Sequence, residues 1–163
     1  DELAETAVYV FNLSDGSFFD LANAWQPNVA IRQPEAIFGD EISLIEEQVN
    51  RNADEIEVVV DWQVLREGEL PLTVFVHLYD SAGALVAQHD GPTAQGFVPW
   101  PSWQPGDIIT DRHVISLSAP LAASAYRLAV GVYDSNTGER LAGMTGSTPL
   151  LDNIYVLEQF TIP

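Results

Sequence analysis

One stretch of this chain occurs twice, and it limits the fold more than any other feature. Residues 75–91 read Phe-Val-His-Leu-Tyr-Asp-Ser-Ala-Gly-Ala-Leu-Val-Ala-Gln-His-Asp-Gly. Residues 129–146 read Ala-Val-Gly-Val-Tyr-Asp-Ser-Asn-Thr-Gly-Glu-Arg-Leu-Ala-Gly-Met-Thr-Gly. With one residue inserted in the second turn, Val76 aligns with Val130, Leu78 with Val132, and Tyr79-Asp80-Ser81 with Tyr133-Asp134-Ser135. Gly83 then aligns with Gly138, and Gly91 with Gly146. Each copy reads strand, turn, strand. Val, Phe and Tyr suit a pleated, half-buried surface. An Asp opening the turn can accept from backbone amides two residues on, and a Gly supplies the positive φ that closes it. Two copies are too few for a solenoid or a propeller.

The flanking sequence carries the same period. Ile56, Val58, Val60, Trp62 and Val64 fill every second position of one segment, which predicts a strand with one buried face. Trp62 and Val130 are therefore expected in the core. Ile42 and Leu44 alternate with polar residues until Ile45 breaks the rhythm, so a strand is favoured there over a helix. Ile108–Ser118, Tyr126–Tyr133 and Ile154–Ile162 read as further strands, and Thr145–Asp152 as a loop. Pro99, Pro101 and Pro105 exclude a helix or a central strand between Pro92 and Gly106. About eight strands with turns every 8–12 residues point to an all-β fold, an antiparallel β-sandwich of immunoglobulin-like or jelly-roll-like type. Residues 38–163 are assigned to this sandwich. Residues 1–37 are assigned to a connector with a candidate edge strand at Ala7–Phe11 and a short one at Val29–Ile31.

Charge narrows the partners. The chain has 163 residues and a net charge of −18, from 24 acidic and six basic residues. The basic residues are all Arg. A surface of this sign repels phosphate backbones, which excludes nucleic acid and argues against anionic membranes. There is no cysteine, hence no disulfide and no thiolate chemistry. No signal segment and no run of apolar residues long enough to span a bilayer occurs, so direct membrane insertion is not expected of this chain. Starting at Asp1, it reads as a piece of a longer protein.

Several motifs occur together. They are Phe-Gly-Asp-Glu-Ile-Ser-Leu (38–44), Val-Phe-Val-His-Leu-Tyr-Asp (74–80), Val-Ala-Gln-His-Asp-Gly-Pro (86–92), Trp-Gln-Pro-Gly-Asp (103–107), Asp-Arg-His (111–113) and Tyr-Arg-Leu-Ala-Val-Gly-Val-Tyr-Asp (126–134). In this order they resemble the extracytoplasmic C-terminal β-sandwich of bacterial multi-spanning membrane glycosyltransferases. Those enzymes are similar to the dolichyl-phosphate-mannose–protein mannosyltransferases of family 39. The resemblance covers residues 38–160. It implies an accessory domain outside the cytoplasmic membrane, tethered through a transmembrane catalytic portion of the same polypeptide. It supplies no catalytic residue, because those lie in the membrane-embedded portion.

Three groups of side chains are candidates for chemistry or binding. His77 and His89 are expected on one face of adjacent strands, with His113 on another strand. Three imidazoles could make a zinc site, but Asp90, Asp111 and Arg112 make a hydrogen-bonded network the favoured reading. No metal and no cofactor is expected. Asp80, Asp90, Asp107, Asp111, Asp134 and Asp152 sit near turns, where capping is favoured over calcium binding. Trp100 and Trp103 lie on the proline-stiffened loop as candidate ligand-binding residues, a platform for sugar rings, although a cap pinned onto the sandwich is the favoured reading. No hydrolase motif is present, so enzyme activity of this piece alone is not expected. The leading reading is a non-catalytic accessory domain that orients a glycan or protein acceptor. A free-standing carbohydrate-binding module and a small secreted hydrolase are the alternatives.

Overall fold

Alternation becomes register in the long strands. The computed structural model describes residues 9–11, 18–20, 24–68, 71–96 and 103–163. Its elements in chain order are β1 (Tyr9–Phe11), β2 (Phe18–Asp20), β3 (Trp25–Gln26), β4 (Ala36–Phe38), β5 (Ile42–Arg51), β6 (Glu55–Val64), β7 (Leu72–Asp80), β8 (Leu85–Pro92), β9 (Ile108–Ser116), β10 (Ser124–Asp134), β11 (Gly143–Thr145), β12 (Thr148–Pro149) and β13 (Tyr155–Ile162). Short 3₁₀ turns follow β8 and β12. One sheet has the order β12-β11-β4-β5-β6-β9-β3, the other β13-β10-β7-β8, and β1 pairs with β2 apart from both. The fold is all-β, with two antiparallel sheets in a sandwich.

The core lies between the inner faces. Ile56, Val58, Val60, Trp62 and Val64 of β6 are fully buried, and so are Val74, Val76 and Leu78 of β7 and Leu128, Val130 and Val132 of β10. Trp62 meets Phe38 edge to face at 5.9 Å. The break at Ile45 is a bulge, because the register of β5 on β6 shifts between Leu44 and Glu46. A bulge lets one strand carry an extra residue without losing its buried face. Tyr126 donates from its hydroxyl to the Ala122 carbonyl at 2.9 Å, a corner tie of the kind found in immunoglobulin-like sandwiches.

The repeat appears as two neighbouring antiparallel strands. Val76 pairs with Val130, its own equivalent, and Val74 and Leu78 pair with Val132 and Leu128. A local two-fold axis thus passes through the Val76–Val130 pair. Both turns close as the sequence implies. Asp80 Oδ1 accepts from the amides of Ala82 and Ala84, and Asp134 Oδ1 accepts from the amide of Asn136. Gly83 and Gly138 hold φ of 80° and 73°.

Beyond the turns the copies diverge. The first continues as β8 beside β7. In the second, Arg140 makes one isolated bridge to Tyr133, and the chain then crosses to the other sheet as β11. The 145–152 stretch, expected as a loop, forms the β11–β12 hairpin and a 3₁₀ turn.

The connector is more deeply joined than its composition suggested. Tyr9–Phe11 is a strand, paired with β2. Val29–Ile31 forms no strand, and the buried Gln63 side chain bonds this stretch instead. Gln63 Oε1 accepts from the Arg32 amide at 2.8 Å, and its Nε2 donates to the Ala30 carbonyl at 3.1 Å. β3 pairs with β9 and β4 with β5, so the seven-stranded sheet uses residues on both sides of position 38.

Candidate functional site

The histidine cluster is split by a single residue. In the β7–β8 hairpin, Tyr79 pairs with Leu85 but Leu78 pairs with Ala87, so Val86 is an extra residue. Side chains alternate at period two, and one added residue sends every later side chain of β8 to the opposite face. His77 therefore faces outward opposite Gln88, while His89 faces inward opposite Val76. The expectation that they share a face is corrected by this bulge. Two polar groups result, one on each side of the four-stranded sheet.

On the outer side, His77 Nε2 donates to Asp90 Oδ1 at 3.1 Å. A carboxylate only accepts, so the other nitrogen of the neutral ring, Nδ1, accepts from the Tyr79 hydroxyl at 3.0 Å. Phe75 lies 4.5 Å from the His77 ring and stacks on Tyr133 at 6.1 Å. Phe75 fits there because Gly131 lies beneath it, and a Cβ at Gly131 would meet the ring at 2.2 Å. Arg140 sits 4.6 Å over Phe75, and Arg127 sits 5.2 Å over Tyr79. Phe75 and His77 are the buried floor of this face, while Tyr79 and Tyr133 are partly open and Arg140 is exposed.

On the inner side, His113 Nε2 donates to Asp111 Oδ2 at 2.9 Å, and Asp111 Oδ1 accepts from the Ala94 amide at 3.0 Å. With the His113 proton on Nε2 alone, its Nδ1 is the acceptor in the 2.9 Å contact with His89 Nδ1, which then donates. β8 and β9 belong to different sheets, so this chain of bonds clasps the sandwich at one edge. Asp111 and His113 are each 1% exposed. Arg112 is not part of the network. It alternates to the outer face of its sheet and pairs with Glu57 at 2.5 Å.

Burial pushes His77 and His89 below the usual value of 6.5; neighbouring His113 lowers His89 further, while Asp90 partly restores His77. Below 6.5 the unfolded chain then binds more protons than the folded one. Stability is complete above that value and falls as the pH drops towards the lowered folded values. Denaturant midpoints at about pH 7.5 and about pH 5.5 check this, since that window brackets histidine titration. The parent is expected to lose more stability on acidification than a His89→Asn variant. Equal losses would remove His89 as the cause.

Trp103 is not placed as a platform. Trp103 is 0% exposed and belongs to the core, so its indole is the pin that holds the loop rather than a surface for a sugar. Trp100 lies outside the described residues. Asp107 caps this corner. Its carboxylate accepts from the Gln104 amide at 3.0 Å, the Asn28 amide at 3.1 Å and the Trp25 indole at 3.0 Å. Trp25 is 39% exposed, which makes it the presented indole of this corner. Among the described residues, no group of three or more His, Cys, Asp or Glu is arranged to hold a metal ion. Asp80, Asp107, Asp111 and Asp134 each direct carboxylate oxygens at backbone amides.

Sequence reasoning missed Arg127, Arg140, Tyr79 and Trp25. The signal for Arg127 was present, because it alternates with the apolar Tyr126 and Leu128 and so had to face outward.

No protein-family model matches the chain, and no curated protein matches it in sequence. Among solved structures it is similar to the C-terminal domain of wzt, with a TM-score of 0.48 and 7% identity over 85% of this chain and 92% of that one. It is also similar to part of a beta-glucuronidase from glycoside hydrolase family 2, with a TM-score of 0.41 and 16% identity over 61% of this chain. The chain spans only 11% of that enzyme.

Proposed function

We propose that this chain is a non-catalytic accessory domain that holds a glycan, in the extracytoplasmic part of a membrane-bound glycosyltransferase. The observation that carries the reading is the outer face of β7 and β10. There, partly open Tyr79 and Tyr133 rings adjoin Arg127, Arg140 and the His77–Asp90 pair. A sugar ring offers an apolar face and a rim of hydroxyls. Tyrosine rings bury the first, and fixed charged groups bond the second. Such a face suits binding more than reaction. The attachment to a membrane enzyme rests on the motifs between residues 38 and 134, with their resemblance to glycosyltransferase sandwiches. An exposed indole at Trp25 is a second contact of the same chemical kind, on the other sheet.

A glycan array probed with the domain tests the binding. Tyr79→Ala is expected to weaken capture by about tenfold, or ~1.4 kcal/mol. Its melting temperature should stay within a few degrees of the parent. Unchanged capture by Tyr79→Ala, or no capture by the parent, would overturn the reading. The full reading frame tests the attachment. A multi-spanning hydrophobic region upstream of Asp1 is expected, whereas a free-standing carbohydrate-binding module would lack it.

A further inference from the structure

We infer that Arg127 recognises an anionic group, and that the groove beside it takes the carboxylate of an acidic sugar unit. This rests on the glycan-holding reading of the same face and names its ligand class. The argument begins with the scarcity of positive charge. Against 24 acidic residues there are six arginines. Arg51 pairs with Glu158 at 2.9 Å, Arg66 with Glu41, and Arg112 with Glu57. Arg140 donates to the Asp152 carbonyl at 2.9 Å, and the Arg32 side chain is exposed to water. Arg127 differs from these. Its Nε is buried and has no hydrogen-bond partner among the described residues, and its guanidinium rests on the Tyr79 ring.

A guanidinium N–H withdrawn from water needs an acceptor, and the donor fork of Arg matches a carboxylate in two parallel bonds. The Tyr79 ring, 5.2 Å away, attracts the cation without supplying that acceptor. Beside Arg127 lies a groove of about 350 Å³, lined also by Leu151, Asp152, Ile154 and Tyr155. Leu151 is 77% exposed, so part of the lining is an open apolar side chain. The groove is thus lined by the arginine whose Nε lacks an acceptor, by apolar side chains and by Asp152. A uronic acid unit presents the matching groups. The rest of the chain sets the limit on charge density. At a net charge of −18 it repels polyanions, so well-spaced single carboxylates fit better than dense sulfates or phosphates.

The test uses the domain with a panel of uronic acid oligosaccharides, each paired with its carboxyl-reduced neutral counterpart, read by calorimetry. At least one acidic member is expected to bind about tenfold more tightly than its reduced form. Arg127→Gln should abolish that difference, and Arg127→Lys should keep part of it. In nitrogen-15 spectra of the parent, the Arg127 Nε–H resonance should move with the acidic ligand and hold still with the reduced one. That readout decides the matter even where Arg127→Gln fails to fold. If acidic and reduced forms bind equally, anion recognition is wrong while the glycan reading stands. If no member of either set binds, both fall.

Discussion

Trp62→Ala is expected to lower the stability of this domain by about 3–5 kcal/mol. Trp62 sits at the C-terminal half of β6, is 0% exposed, and packs edge to face on Phe38. It is among the largest fully buried side chains, so truncation removes a large contact area and leaves a large void. The sheet around it has little freedom to collapse. β6 is paired along its length with both β5 and β9. The loss should lower the melting temperature by roughly 6–20 °C, at about 2–4 °C per kcal/mol for a domain of this size. Trp62→Phe provides the contrast. The indole Nε1 is buried with no hydrogen-bond partner among the described residues, and Phe removes that orphan donor. Phe should therefore cost much less than Ala. A loss below about 1 kcal/mol for Ala in denaturant titration would mean that the buried face of β6 contributes far less than large-to-small changes in cores normally do.

The same period-two logic shows what the sequence could and could not convey. It placed Ile56 through Val64 and the Val76 and Val130 strands, because burial of one face repeats at every second residue and nothing else produces that pattern. It also placed Asp80, Gly83, Asp134 and Gly138 in their turns, where local hydrogen bonding and positive φ depend only on neighbours. It failed where one residue decides register. Val86 reads as one more apolar residue of a strand, yet as the bulge it separates His77 from His89 by the thickness of a sheet. At Trp103 it left platform and cap both open. A tryptophan in a proline-rich loop has the same letters whether it points out or in, and only the packed core shows that it points in. The outer face was legible in part. His77 and Asp90 were expected as partners of some kind. The arginines above Phe75 and Tyr79 depend on cross-strand pairing between the two repeat copies, which no local pattern encodes.

Asp111 should show the largest effect among the polar residues, and two substitutions at this one position should differ sharply. Its carboxylate holds the Ala94 amide and the His113 ring, both away from water. Asp111→Ala removes both acceptors at once. Each buried donor left without its acceptor costs about 1–3 kcal/mol, because it stays desolvated, so the two together make Ala the severe change. Asp111→Asn keeps Oδ1 for the Ala94 amide but turns an NH₂ towards His113. The clasp can accommodate this by reversing its direction. The introduced side-chain amide would donate to His113 Nε2, His113 would donate from Nδ1, and His89 Nδ1 would accept. Every group stays paired, so the cost should be nearer the ~1 kcal/mol of an ordinary hydrogen bond. Nitrogen-15 spectra of the histidine rings report the direction. The parent should carry the His113 proton on Nε2 and the Asp111→Asn variant on Nδ1. Equal destabilisation by the two substitutions, with no change of tautomer, would show that the two sheets are held at this edge by the charge of Asp111 and not by the continuity of the bonds.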